Sequence, residues 1–211
     1  LTNVYDTALN PSGPFTVECW ACKQPGSGHP LGVASALYYV GGSERNGWLI
    51  YDAGTDWEFR LGDDAGYVAT AKGGVAQVGV WCHLAGVYDG ANAVLYVNGV
   101  PAASAALSRP FVPNPGWNTE MGSASAFGRY FSGALDEVAI YPQALTADEL
   151  LAHYQAATTN AAGYATQILA HNPVGYWRLN DAAAGGVVAT NLGYLAAAGT
   201  DLRLELAIAH H

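Results

Sequence analysis

Trp81-Cys82-His83-Leu84-Ala85-Gly86-Val87-Tyr88-Asp89-Gly90-Ala91-Asn92-Ala93-Val94-Leu95-Tyr96-Val97-Asn98-Gly99-Val100 reads as strand, turn, strand, turn, strand. Asp89-Gly90 and Asn98-Gly99 reach positive φ at low cost, which suits tight two-residue hairpins. Between them, Val94-Leu95-Tyr96-Val97 is β-branched and aromatic, the composition of a strand on a half-buried sheet. A chain that repeats this pattern folds as a meander of antiparallel strands. Such a scaffold more often presents a binding face than a deep catalytic pocket, and fold alone does not decide function.

The same pattern extends in both directions. Phe15 to Ala21 alternates and predicts a strand, as do Ser35 to Val40 and Trp48 to Asp52. Gln24 to Pro30 and Gly41 to Gly47 are turn-rich connections. Trp57-Glu58-Phe59-Arg60-Leu61 puts Trp57, Phe59 and Leu61 on one face and Glu58 and Arg60 on the other. Tyr67 to Ala71 and Gln77 to Val87 continue the series. Strands recur about every ten residues, the spacing of a sandwich or jelly roll. Ala105 to Asn118 carries three of the ten prolines and predicts a long surface loop, followed by strands over Thr119 to Gly122 and Gly133 to Tyr141. There the period changes. Thr146-Ala147-Asp148-Glu149 is a capping box, and Leu150, Leu151, Tyr154 and Ala157 follow on one side of a helix. Beyond a linker of small residues over Ala156 to Gly163, Tyr164 to Ala170 suits a short helix and Tyr176-Trp177-Arg178-Leu179 a strand.

Composition narrows the function classes. Of 211 residues, 51% are apolar and 12% charged, with 26 Gly, 13 Tyr and 6 Trp, which is enough for a sizeable core rich in strands and turns. The net charge of −9, with Lys23 and Lys72 the only lysines, leaves no basic stripe for nucleic acid and no attraction to an anionic membrane surface. No apolar run approaches the roughly 20 residues that span a bilayer. Leu1-Thr2-Asn3-Val4 does not open a signal peptide. The chain reads as a piece of a longer protein, with His210-His211 as the stub of a purification tag.

Cys19 and Cys22 have the spacing of a metal knuckle, but zinc needs a second ligand pair. Cys82-His83 serves poorly, because adjacent strand residues point to opposite faces. One disulfide joining Cys82 to Cys19 or Cys22, or three buried thiols, are the remaining readings. His29, His83, His153 and His171 show no ligand spacing, and His83 on a strand suits a structural role.

Taken in order, these pieces resemble the laminin G-like jelly roll of the concanavalin A-like lectin/glucanase superfamily. The resemblance rests on Phe15 to Trp20, Trp81 to Gly90, Leu95-Tyr96-Val97-Asn98-Gly99, Gly133 to Tyr141, Ala144-Leu145-Thr146 and Glu149 to Tyr154. It implies an all-β fold, a two-sheet antiparallel β-sandwich with one short helix near 146–157, and a concave face that binds glycans. It also implies an extracellular or cell-surface location.

The ends depart from the family pattern. A segment similar to Ile168-Leu169-Ala170-His171-Asn172-Pro173 and Tyr176-Trp177-Arg178-Leu179-Asn180-Asp181 usually opens such a domain, and here it comes last. Either the chain keeps most of one tandem repeat and the start of the next, or the domain is circularly permuted. Residues 1–157 are then the sandwich, 164–200 complete it, and 201–211 are a tail. The late segment is expected to fill the slot beside Leu135 to Tyr141, within its own chain as a monomer or in a neighbour's as a strand-swapped dimer. An open edge there would invite aggregation. Closure within the chain is the expectation, because the linker is long enough to return.

Glucanases of the superfamily carry Glu-x-Asp-x-Glu or Glu-x-Asp-x-x-Glu on one strand, with retaining carboxyls about 5 Å apart. Neither pattern occurs here. Asp56-Trp57-Glu58 lacks a third member, and Asp136-Glu137 face opposite ways. No Gly-x-Ser-x-Gly or His-Glu-x-x-His motif is present. The expectation is therefore a non-catalytic, lectin-like module of a secreted, bacterial-type multidomain protein. Its partner would be a polysaccharide or glycan, with an adhesion or spacer module binding proteins as the alternative. Sugar rings stack on aromatics and bond to nearby polar groups, which nominates Trp48, Tyr51, Asp52, Glu58, Arg60, Trp117 and Tyr130. Glu58 and Arg60 are expected on a solvated face, where an ordinary pair of charges is the competing reading. The resemblance further implies a structural Ca²⁺ held by backbone carbonyls and an Asp near the end of the last strand, with Asp136 at the matching position and Asn180 and Asp181 as added oxygen ligands if the tail closes the sheet.

Overall fold

The structure, a computed structural model, describes residues 1–25, 31–39, 41–180, 188–195 and 202–203. Two antiparallel sheets form a sandwich. Among the described residues the first sheet runs β15 (Val188–Ala189), β16 (Leu202–Arg203), β1 (Thr2–Asn3), β10 (Thr119–Met121), β3 (Leu31–Tyr38), β4 (Asn46–Asp52), β5 (Asp56–Asp63), β6 (Gly66–Val75). The second runs β14 (Gly175–Trp177), β13 (Gly133–Tyr141), β2 (Phe15–Lys23), β7 (Trp81–Tyr88), β8 (Asn92–Val97), β9 (Val100–Ala106). A small ladder, β11 (Ser123–Ala124) with β12 (Arg129–Tyr130), and two helices, α1 (Ala147–Thr159) and α2 (Tyr164–Leu169), lie outside the sheets.

The stretch from Trp81 to Val100 forms β7 and β8 and leads into β9. Asn98 and Gly99 take φ of 54° and 77°, the two positive values that a two-residue turn of this hand requires. The first turn is shifted by one residue from its sequence reading. It is centred on Gly90-Ala91, with the Asp89 N–H donating to the Asn92 carbonyl at 3.2 Å and the Asp89 carboxylate accepting the Ala91 N–H at 2.8 Å. Asp closes this turn through its side chain and leaves the positive φ to Gly90. Gln77 to Val80 is likewise a turn rather than strand, and β7 begins at Trp81.

Alternation builds the core between the sheets. Trp57, Phe59 and Leu61 of β5 meet Phe15, Val17, Leu84, Leu95 and Ile140 from the other sheet, all of them without solvent exposure. Burying a side chain of this size contributes on the order of 1.5–3 kcal/mol. Phe59 lies against Gly86 of β7, where an added Cβ would stand 2.4 Å from the ring. Only a residue without a side chain lets the two layers approach so closely there.

Each sheet also carries a cover on its outer face. The helices cover the six-stranded sheet, packing Leu150, Tyr164 and Ile168 on Ala85, Ala139, Tyr141 and Tyr176. Thr146 and Glu149 cap α1 reciprocally. Between α1 and the sheet lies Glu18 of β2, fully buried. Its carboxylate accepts from His83 Nε2 at 2.9 Å, from His153 Nδ1 at 3.0 and 3.1 Å, and from the Tyr141 hydroxyl. Burial works to raise the Glu18 carboxyl, but hydrogen bonds from His153 and His83 and their positive charge prevail and hold it well below the usual carboxylate range. The network reaches the surface through His153 Nε2, 2.9 Å from His171 Nδ1, and His171 Nε2, 3.4 Å from Glu149.

The chain after α2 returns to the sandwich. β14 pairs with β13 of the same chain through Val138↔Trp177, Ala139↔Tyr176 and Ile140↔Gly175. Cys19, Cys22 and Cys82 are buried free thiols, and burial pushes the Cys19 and Cys82 thiols up.

Candidate functional site

The outer face of the eight-stranded sheet has a roofed part and an open part. The roof is the segment carrying β11 and β12, folded over β3. It sits directly on Gly32, where a Cβ would lie 2.4 Å from the Ala124 backbone nitrogen. Glu120 of β10 ties it down, accepting from Ser123 Oγ at 2.9 Å, from the Ser125 N–H at 2.6 Å and from Trp117 Nε1 at 3.2 Å. Ser35 Oγ donates to the Ser123 carbonyl at 3.0 Å. Beneath the roof, Leu37, Leu49, Tyr51 and Ala124 form a small apolar cluster, with Tyr67 and Phe127 at its edge.

Where the roof ends, a cavity of about 230 Å³ opens, lined by Arg45, Tyr51, Arg60, Tyr67, Phe127 and Arg129. Register places its floor: Tyr51 stands opposite Glu58, and Arg60 opposite Leu49 and Thr70. Gly128, at φ 62°, turns the chain back so that Arg129 pairs with Ala124 and reaches the rim. The guanidinium groups lie over aromatic rings. Arg60 Cζ is 5.0 Å from the Tyr51 centroid and 4.8 Å from that of Tyr67, and Arg45 Cζ is 4.5 Å from Tyr39 and 4.8 Å from Phe127. Such contacts orient a guanidinium and contribute about 0.5–2 kcal/mol each. Burial pushes the Tyr51 and Tyr67 hydroxyls up, so both keep their protons and can donate as well as accept.

The structure gathers three of the nominated residues, Tyr51, Glu58 and Arg60. Glu58 departs from its expected solvated position, being 5% exposed. Arg60 Nε donates to it at 2.7 Å, and Lys72 of the next strand lies 3.7 Å away, so its neighbours exclude water. Trp48 and Asp52 need correction, and Trp117 and Tyr130 lie outside this cavity. Trp48, at 1% exposure, faces the core 6.3 Å from Phe15 and has no free face for a ring to stack on. Asp52 is fully buried and accepts from Lys23 Nζ at 3.0 Å and the Gly54 N–H at 2.8 Å, which makes it a structural group. Trp117 is half-buried, edge-on to Tyr38 and bonded to Glu120. Tyr130 is exposed on β12 but does not line the cavity. Arg45, Tyr67, Phe127 and Arg129 were not nominated. The available hint was the scarcity of cations in this chain, which makes each exposed arginine informative.

A second cleft, of about 380 Å³, lies beside the helical cover and is lined by Trp20, Trp81, Asp136, Glu137, Tyr164 and Arg178 among others. Its charges are spent on one another. Glu137, at φ 53° in a β-bulge, accepts from Arg178 at 2.9 and 3.0 Å and from the Tyr176 hydroxyl. Burial and the neighbouring Glu137 charge push the Asp136 carboxyl up, and it accepts the Glu137 N–H at 2.9 Å. No group of three His, Cys, Asp or Glu side chains is placed to hold a metal among the described residues. Asp181, the expected partner of Asp136, and His29 lie outside the described residues, and Asn180 is exposed.

The sequence profile of the concanavalin A-like lectin/glucanases superfamily matches residues 2–151. No curated protein sequence matches the chain. Solved structures share its fold. The binding domain of botulinum neurotoxin serotype G superposes with a TM-score of 0.60 at 13% identity, over 75% of this chain and 40% of that one. A candidate carbohydrate-binding protein from Bacteroides ovatus gives 0.62 at 17%, over 95% and 54%. The CBM40 domain of a Ruminococcus gnavus IT-sialidase, bound to α2,3-sialyllactose, gives 0.57 at 17%, over 72% and 92%. The chain thus spans about half the length of the first two, and at these identities the likeness is one of fold.

Proposed function

The chain belongs to the concanavalin A-like lectin/glucanases superfamily, and from that premise we propose that it is a non-catalytic carbohydrate-binding module of an extracellular multidomain protein. One observation carries the reading. The open part of the eight-stranded sheet presents a cavity that combines aromatic rings with guanidinium and hydroxyl groups. A sugar offers apolar C–H faces to such rings and oxygen acceptors to such donors. The Ruminococcus domain of the same fold, bound to α2,3-sialyllactose, and the candidate carbohydrate-binding protein from Bacteroides support this. The carboxylates argue against hydrolysis. Glycosidases need two carboxyls flanking one bond, one of them protonated, whereas Glu58 stands beside the cavity already paired to Arg60.

In this reading residues 164–200 complete the sandwich that residues 1–157 begin, supported by the pairing of β14 with β13. Sedimentation should then return a monomer at all concentrations. No binding step is assigned to calcium. Affinity electrophoresis through gels containing soluble polysaccharides tests the function. Retardation of the intact chain is expected, with its loss in Tyr67→Ala and Phe127→Ala. A chain that no polysaccharide retards, or whose retardation survives both substitutions, would contradict the assignment to this cavity.

A further inference from the structure

We propose that the arginine-lined cavity recognises an anionic sugar, a ring bearing a carboxylate or a sulfate ester, a proposal that rests on the carbohydrate reading above and narrows it. The first argument is charge. The chain carries a net −9 and only eight Lys and Arg. Three of its six arginines, Arg45, Arg60 and Arg129, nevertheless converge on one cavity. Glu58 neutralises Arg60. Arg45 donates to the backbone carbonyls of Glu44 at 2.6 Å and Gly42 at 3.4 Å, and neither Arg45 nor Arg129 meets a carboxylate among the described residues. Gathering like charges around one small space is unfavourable until an anion enters it.

The second argument is hydrogen-bonding capacity. Arginine donates and never accepts, so the polar lining is dominated by donors, with the two tyrosine hydroxyls as its acceptors. A neutral sugar presents hydroxyls that need acceptors as well as donors. A carboxylate or sulfate ester is acceptor-only and matches the lining, and the planar guanidinium fork fits such oxyanions. The third argument is preorganisation. Arg45 and Arg60 are already held over Tyr39, Phe127, Tyr51 and Tyr67, so less side-chain entropy is lost on binding.

The test is a glycan array presenting uronic-acid, sialic-acid, sulfated and neutral glycans to the intact chain. It is followed by calorimetric titration of the strongest ligand against its methyl-ester or desulfated counterpart. Binding is expected for acidic glycans, with at least about a tenfold loss on removing the ligand charge and a similar loss in Arg129→Gln and Arg45→Gln. Raising the salt should weaken binding of the intact chain. Because Arg129 is exposed and Arg45 half-buried, both variants should melt close to the parent, separating lost binding from lost folding. Equal binding of neutral and acidic glycans would overturn the anionic inference and leave the carbohydrate reading standing. Binding of no glycan would overturn both. Competition by inorganic sulfate as effective as that by the acidic glycan would show an anion site without sugar recognition, and would also overturn the proposal.

Discussion

Replacing Glu18 by Gln tests the physical reading of the buried network most directly. The carboxylate is without solvent exposure and accepts from three side chains: His83, His153 and Tyr141. A carboxamide keeps the shape but has one acceptor oxygen, and its NH₂ group must face a donor. At least one charge-assisted bond is lost and one buried donor is orphaned, at about 1.5–3 and 1–3 kcal/mol respectively. Allowing for relaxation, a loss of about 3 kcal/mol is expected at pH 6, or about 6–12 °C in Tm for a chain of this length. The pH dependence follows from the depressed Glu18 pKa. The folded group titrates below its unfolded value of 4.5, so its stabilisation is complete above that pH and declines as the unfolded chain takes up a proton first. One proton gives a slope of about 1.4 kcal/mol per pH unit, so the gap between parent and variant should narrow by about 2 kcal/mol between pH 6 and pH 3. Urea unfolding followed by tryptophan fluorescence measures both quantities. A variant with the parent's midpoint at pH 6, or a gap that stays constant on acidification, would refute the claim that the imidazoles hold Glu18 ionised.

Gly86→Ala should destabilise the sandwich by about 1–3 kcal/mol through overpacking on Phe59, and Phe59→Leu in the same chain should recover part of the loss in thermal melts. Thr146→Ala removes one half of the capping box and should cost about 1 kcal/mol, read as a lower urea midpoint with an unchanged m-value. Gly32→Ala drives a Cβ against the Ala124 backbone and should loosen the roof, speeding limited proteolysis after Phe127 or Arg129 and weakening glycan binding. Because Cys19, Cys22 and Cys82 are buried, and burial raises the Cys19 and Cys82 thiols, all three should resist a thiol reagent at pH 8 in the native chain and react promptly in urea.

Local chemistry was the legible part of the sequence. The alternation of Trp57, Phe59 and Leu61, the Asn98-Gly99 turn and the Thr146–Glu149 cap each follow from a few neighbouring residues, and each is found where the residues put it. The family resemblance supplied the two-sheet order, which alternation alone does not give. What escaped was long-range cover. Every residue of β4 from Asn46 to Asp52 is buried, because a roof encoded some seventy residues later covers its outer side. Period-two reading identifies the two faces of such a strand but cannot tell that both are dry, so Trp48 and Tyr51 looked equally available. Glu18 meets His83 and His153 from 65 and 135 positions away, a distance at which spacing carries no information. The cavity was half legible for the same reason. Tyr51 and Arg60 lie on paired strands, while Arg45 and Phe127 arrive on connections and Arg129 on the two-residue strand β12, whose paths only the folded chain reveals.

That division of labour inside the cavity has an engineering consequence. The floor is fixed by ladder hydrogen bonds, whereas the rim comes from the short stretches around 41–47 and 122–130. Those stretches can be rewritten, in nature or in a combinatorial library, at little risk to the framework that displays them. Gly32 against Ala124 and Gly62 against Arg45 mark places where framework and rim touch too closely for such freedom. A library that keeps Gly32 and the Glu120 anchor while varying Arg45 and residues 125–129 should therefore yield folded variants of altered selectivity, whereas one that varies the anchors should yield mostly insoluble chains.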